Sequence, residues 1–312
     1  MQKLLLSGLG GSLFPYLHEK LSSKYQLYYV DSDFLLSALY PTYSFFAAPS
    51  VADPLYIAFI KEIILKFGID VYVPLIDEEL IKAKLEVEGF NNVKVLTPTS
   101  EFCELSLNKF KLMKKLNEKG ISTINSWIGN DIPEWNFPIF VKPISGRGSR
   151  GIKKIVNKEQ LNAYYLLEGY SPNEILIQEF ISGTEYTIGA TVNNLNNLIS
   201  VSIKRVIRKK GITQIAVTEK NEFITNLVKQ VVKELKPCGP INIQLFLTAD
   251  NQVKLFEINP RFSTTTVMSY ADDIDEIGLF LENFNIQYIQ DPIQPRAGIT
   301  LHRRWENVFY VN

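Results

Sequence analysis

Glu257 and Asn259 stand two residues apart in a segment reading E-I-N-P-R, closed by Arg261. Residues 253–259 alternate in type as a strand does. Strict alternation would set Val253, Leu255, Glu257 and Asn259 on one face, with Lys254, Phe256 and Ile258 on the other. A second alternating run, 241–247, precedes it across the turn residues Ala249-Asp250-Asn251. The two read as an antiparallel hairpin with Gln244 in cross-strand reach of the acid, and Pro260 ends the ladder. One carboxylate and two amide oxygens at a strand end suit a hard cation such as Mg²⁺, which takes oxygen ligands and completes its shell with phosphates and water. Arg261 is placed to fork onto a phosphate beside it. The same residues also describe a solvated strand end with a surface arginine, and alone they leave the two readings level.

Residues 137–143, F-P-I-F-V-K-P, form an apolar strand with a single charge, Lys142, near its end. A lysine so placed requires an anionic partner. The next residues, Ser145-Gly146-Arg147-Gly148-Ser149-Arg150-Gly151, are rich in glycine, which lets backbone N–H groups close over phosphate oxygens. This is not a Walker loop, because the lysine precedes the glycines and no G-K-S/T follows. An ordinary hairpin loop is the alternative. Further on, Lys204, Arg205 and Arg208 form a basic cluster before Gly211: either a solvated face or a surface for an acidic substrate or a γ-phosphate.

In this order the segments resemble the ATP-grasp superfamily, in particular its carbamoyl-phosphate-synthase-like branch. The resemblance covers nearly the whole chain and is strongest from 137 to 265. It implies ATP with Mg²⁺, for which Mn²⁺ can substitute, the metal held on Gln244, Glu257 and Asn259. It implies Lys109 and Lys142 on the phosphates, under a lid that contributes Ser145, Gly146, Gly148, Ser149 and Gly151. The family's Asp-Lys pair is Asn108-Lys109 here, so the lysine is kept and the acid is not. By position Glu179, Phe180 and Ile181 form the hinge that meets the adenine edge, and Glu185 takes the ribose hydroxyls. Arg261, with Lys204 and Arg208, falls on the catalytic side, facing the acyl phosphate and the acidic substrate. The implied activity joins a carboxylate to an amine or a thiol through an acyl phosphate, releasing ADP and phosphate. An ATP-binding regulatory or scaffold protein on the same fold, and an ATP-grasp kinase, are the alternatives. A site that only binds nucleotide has little need of Glu257, Asn259 and Arg261 together.

Holding these residues in place takes more than one unit, and 312 residues allow two or three. The expected fold is mixed α/β and α+β: a Rossmann-like N-terminal domain, 1–97, then a two-lobed ATP-grasp domain with antiparallel sheets, 98–312. Its lid lobe spans about 121–181 and its metal and substrate lobe about 182–312. The first domain reads as strand 3–7, glycine turn 8–11, helix 13–21 and strand 25–30 before Asp31, then helix 56–67 and strands 71–75 and 93–96. Leu13 stands where a third glycine would admit a dinucleotide, so no dinucleotide is expected there. Thr97-Pro98-Thr99-Ser100 marks the boundary. Helices are expected over 106–120, 223–235, 263–270 and 275–284, with a closing edge strand over 298–303.

Lys and Arg number 33 against 33 Asp and Glu, so no net field draws in nucleic acid or an anionic membrane. The partners expected are a small carboxylate and an amine, with no nucleic acid, no membrane, and a homodimer left open. Cys103 and Cys238 lack metal-ligand spacing and read as reduced thiols. The short N-terminal run Leu4-Leu5-Leu6 is ended by glycines rather than extended into a signal peptide, and no apolar run approaches the ~20 residues of a membrane helix. A cytoplasmic protein is expected.

Overall fold

Short buried strands separated by helices build residues 3–95 into a parallel sheet. Its strands are β1 (Lys3–Ser7), β2 (Gln26–Asp31), β3 (Ser44–Ala47), β4 (Val71–Val73) and β5 (Lys94–Val95), in the order β3-β2-β1-β4-β5. The computed structural model describes residues 1–11, 13–129, 137–145, 151–287, 291–304, 307 and 309. Strand side chains alternate between the two faces. Leu5, Tyr28 and Tyr72 pack on the helix Tyr56–Phe67, whose stop is Gly68 in the left-handed region at φ +62°. Leu4 and Leu6 face the helix Phe14–Leu21 and, beyond it, Val267, Met268 and Phe280 from the far end of the chain. The N-terminal sheet is thus buried on both faces, as a parallel sheet must be.

A four-stranded sheet follows, made of β6 (Ser126–Ile128), β7 (Ile139–Pro143), β8 (Lys153–Ile155) and β9 (Ile175–Glu179), in the order β6-β9-β7-β8 with antiparallel pairing. Ile139, Val141, Ile155, Ile175 and Ile177 pack on Leu161 and Tyr164 of the helix Lys158–Glu168, giving this lobe a core of its own. That helix starts on the Asn157 side chain, which accepts from Gln160 N, and ends at Gly169, φ +72°.

The third sheet is six-stranded and antiparallel: β10 (Thr184–Val192), β11 (Leu198–Lys210), β12 (Ile212–Glu219), β13 (Pro240–Leu247), β14 (Val253–Asn259) and β15 (Thr300–His302), in the order β14-β13-β10-β11-β12-β15. Ile188, Ala190, Val201, Ile203, Ile241, Ile243 and Leu245 line one face against the amphipathic helix Glu222–Leu235. The opposite face carries Thr187, Gly189, Ser202, Lys204, Asn242 and Gln244, a polar surface that lies buried except around Gln244. The expected edge strand near residue 300 is β15, paired with β12.

Two departures from the sequence reading matter for the site. Residues 100–118 form two helices rather than one, Ser100–Leu107 and Lys109–Glu118, broken at Asn108. Asn108 leaves helical geometry (φ −100°, ψ 96°), and its Oδ1 accepts from Lys111 N at 3.0 Å, capping the second helix. In β14, the ladder slips between Gln244↔Glu257 and Leu245↔Leu255. One extra residue in the strand, a β-bulge, interrupts the alternation. Leu255 and Ile258 therefore both enter the core, and Leu255 does not share a face with Glu257 and Asn259 as strict alternation would have it.

Candidate functional site

The cleft lies between the four-stranded lobe and the polar face of the large sheet. β13 and β14 set Gln244 opposite Glu257 and Asn242 opposite Asn259. Glu257 and Asn259 border a pocket of about 150 Å³ with Lys109, Ser145, Ser106 and the N-terminal residues Asp77 and Glu78. Because Asn108 caps its helix, Lys109 is the first helical residue and is held inward. It is 8% exposed, and its Nζ lies 3.8 Å from Glu257 Oε1. Asn at 108 performs the capping that an acid would, so the departure from Asp-Lys costs the site no geometry. Ser106 Oγ, buried at the same pocket, has no hydrogen-bond partner.

Lys142 enters from β7, 6% exposed, donating to Phe256 O at 3.4 Å with its ammonium 5.4 Å from the Phe256 ring centroid. Burial pulls its pKa down to about 8; Glu257 opposes that shift while Lys109 and Lys209 add to it. Lys209, which the sequence reading passed over in favour of its neighbours, is the cation that β11 delivers to the cleft. Its Nζ donates to Glu185 Oε1 at 2.5 Å and to Gln244 Oε1 at 3.0 Å. The slips in the β11–β12 register around Arg208 account for the exchange, since each slip changes which side chain faces inward. Arg208 itself is exposed.

Lys204 lies on the polar face of the sheet, beside Thr187, which in turn pairs with Gln244. It is fully enclosed, its Nζ has no hydrogen-bond partner, and burial lowers its pKa to about 8, with Glu276 pulling the other way. Glu276 accepts from the hydroxyls of Thr266 and Ser269. Arg261 turns toward the N-terminal sheet, where its Nε donates to Asp77 Oδ1 at 2.5 Å.

At the end of β9, where the hinge is expected, Glu179 accepts from Asn125 N (2.8 Å) and Nδ2 (3.0 Å), tying β9 to the start of β6. Phe180 stacks on Phe140, centroids 5.7 Å apart, beneath the Lys154 ammonium at 4.2 Å; Ile181 is half-buried beside it. Ser145 is exposed at the pocket rim. Gly151 takes φ +68°, where an added Cβ would press on Pro143 at 3.1 Å. Gly146, Gly148 and Ser149 lie outside the described residues.

The oxygen donors suit a hard cation. Gln244 Oε1 and Glu257 Oε1 already attract the ammoniums of Lys209 and Lys109, which shows the sign of the field there. Among the described residues no three His, Cys, Asp or Glu side chains gather as a metal site, here or elsewhere. One carboxylate with two amides is a sparse shell that phosphate oxygens would complete. The glycine turn at the N-terminus is closed on itself: Gly10 N donates to Asp31 Oδ2 at 3.0 Å and Leu13 is buried.

A parallel α/β sheet is thus joined to two antiparallel sheets that meet at a cationic cleft. The family described as "ATP-grasp in the biosynthetic pathway with Ter operon" matches residues 171–305, and "PylC-like, N-terminal domain" matches residues 4–97. The chain belongs to the ATP-grasp superfamily. It is 27% identical over 213 residues to the carbamoyl phosphate synthase large chain of Clostridium acetobutylicum, covering 62% of this chain and 20% of that one. It is 23% identical over 210 residues to the D-alanine–D-alanine ligase of Phocaeicola vulgatus, covering 60% and 65%. The chain thus spans a fifth of the first relative and about two thirds of the second. Among solved structures, the biotin carboxylase domain of 2-oxoglutarate carboxylase from Hydrogenobacter thermophilus, in complex with MgADP, ADP and bicarbonate, superposes with TM-score 0.76 at 14% identity, over 96% of this chain and 73% of that one. The L-amino acid ligase of Bacillus licheniformis gives 0.70 at 19%, over 91% and 74%. At these identities the likeness is one of fold. No helix among the described residues is long and apolar enough to cross a membrane.

Proposed function

We propose that the protein is an ATP-dependent ligase that joins a small carboxylate to an amine, or to a thiol, and releases ADP and phosphate. The observation that carries the reading is the convergence of Gln244, Glu257 and Asn259 with the ammoniums of Lys109, Lys142 and Lys209 around one cleft. In this reading residues 1–97 are the N-terminal domain and 98–312 the ATP-grasp domain, with the nucleotide between lobes 121–181 and 182–312. Phe180 and Ile181 meet the base and Glu185 the ribose, which requires Lys209 to leave Glu185 for the phosphates. Mg²⁺, held by Gln244, Glu257 and Asn259, would offset charge on the phosphates.

A carboxylate cannot expel oxide, so it must first be activated. Its oxygen takes the γ-phosphoryl group as ADP departs; the amine then attacks the acyl carbon and phosphate leaves with the C–O bond electrons. No side-chain nucleophile is needed, and the chain's work is to position and to balance charge. Lys109 and Lys142 bind phosphate oxygens, and Arg261 faces the anion that forms. Lys209, rather than Lys204 or Arg208, supplies the cation from β11. The similarity to a named D-alanine–D-alanine ligase supports this class of activity.

The test is ADP and phosphate release across a grid of carboxylates with amines and thiols, run with wild type and Glu257→Gln. The variant should melt like wild type and lose Mg²⁺-dependent turnover by about a hundredfold or more, because the main charge attracting a hard cation is gone. Unchanged turnover with unchanged Mg²⁺ dependence would remove Glu257 from the metal.

A further inference from the structure

The turn after β4 links the N-terminal sheet to the candidate site. Glu79 is fully buried there, and its Oε1 accepts from the Ser7 hydroxyl and from the backbone N of Leu75 and Ile76 at 3.0 Å each. Its Oε2 accepts from the hydroxyls of Tyr56 and Tyr72. Five donors on one buried carboxylate leave the turn a single conformation. That conformation aims Asp77 at Arg261, and both side chains are enclosed, 10% and 15% exposed. Arg261 Nε is taken by Asp77 at 2.5 Å and Nη1 donates to Phe262 O at 3.2 Å. Nη2 meets no partner among the described residues. Asp77 also borders the pocket that Glu257 and Asn259 line.

We infer that Asp77 is a positioning residue, gripping Arg261 by its Nε edge so that the unpartnered Nη2 is held for an oxyanion beside Glu257 and Asn259. A guanidinium gripped at one edge presents the other in a fixed plane, which a lone arginine on a strand end cannot do. The pair spans 184 residues and joins two sheets, so the N-terminal sheet becomes part of the site rather than a neighbour of it. The inference rests on the ligase reading only for what the oxyanion is, namely the phosphate of the reaction.

Orthophosphate titrated calorimetrically onto protein saturated with Mg·ADP decides it. Arg261→Ala and Asp77→Ala should each weaken phosphate about tenfold or more, while the affinity for Mg·ADP stays unchanged. Asp77→Asn, which keeps an acceptor oxygen, should recover most of the loss, and the double variant should bind no worse than Arg261→Ala alone. If Asp77→Ala does not fold, Arg261→Lys replaces it: the charge is kept, the grip is lost, and phosphate must weaken as it does in Arg261→Ala. Phosphate binding equal to wild type in these variants, losses that multiply in the double variant, or no phosphate binding by wild type overturns the inference. Phosphate binding without turnover on any substrate pair would instead sink the ligase reading and leave Asp77 in its role.

Discussion

Lys142 shows how much one buried charge can control. Its ammonium sits on an apolar strand beside two other lysines, and desolvation lowers its pKa to about 8. A phosphate arriving at Nζ stabilises the protonated form, so binding raises the pKa and takes up a proton. Affinity for ATP is therefore greatest below pH 8 and falls as pH rises through that value, by up to about tenfold per unit. Calorimetry of Mg·ATP in buffers of different ionisation enthalpy should record proton uptake that sets in near pH 8 and is greatest above it. Lys142→Arg, whose cation does not titrate in this range, should abolish both the uptake and the alkaline loss. Equal uptake in the variant would mean that another group titrates. Lys142 was visible in the sequence because a lone charge in an apolar strand stands out. Lys209 was not, since nothing in I-K-R-V-I-R-K-K marks which cation a register slip turns inward.

Elements carried by strong periodicity were legible, and those set by a single local choice were not. The helix Tyr56–Phe67, the β13–β14 hairpin and the edge strand β15 follow from alternation, helical spacing and their stops. The bulge in β14 leaves no trace in residue type, because V-K-L-F-E-I-N satisfies both registers. Asp77 and Arg261 meet across so many residues that no pattern announces them. The break at Asn108 lies between these cases, since Asn is a capping residue but the flanking apolar spacing runs on through it. Its weight is measurable. Asn108→Ala should lower stability by about 1 kcal/mol in denaturant melts and raise KM for ATP, because Lys109 loses its anchor as the first helical residue. Asn108→Asp should match wild type on both counts. An alanine variant with normal stability and KM would show that Lys109 is placed by other contacts.

At the scale of the molecule, the four-stranded lobe has its own core and, among the described residues, is joined to the rest through few backbone links. These are Ile124 N to Leu255 O, Leu255 N to Ser122 O, and Lys109 N to Ile144 O. A unit with a separate core on a narrow attachment can turn as a body. At the cleft, the Lys142 ammonium of the four-stranded lobe faces a side that carries Lys109 and Lys209 with the carboxylates of Glu185 and Glu257. The excess positive charge opposes approach of the two sides. Phosphates supply the missing negative charge and bridge both sides, so nucleotide should shift the population toward a closed cleft. Small-angle scattering should register a fall in the radius of gyration, on the order of 0.5 Å from the roughly 20 Å expected for this length, when a non-hydrolysable ATP analogue and Mg²⁺ are added. Hydrogen exchange should slow at the backbone links around Ile124 and Ile144 in the same titration. Lys142→Ala, which removes the lobe's buried contact with Phe256 O, should weaken both responses while leaving the lobe's own core protected from exchange. A wild-type radius and exchange pattern indifferent to the analogue would mean that the cleft is rigid, and that the lysines meet their ligand without any closing of the lobe.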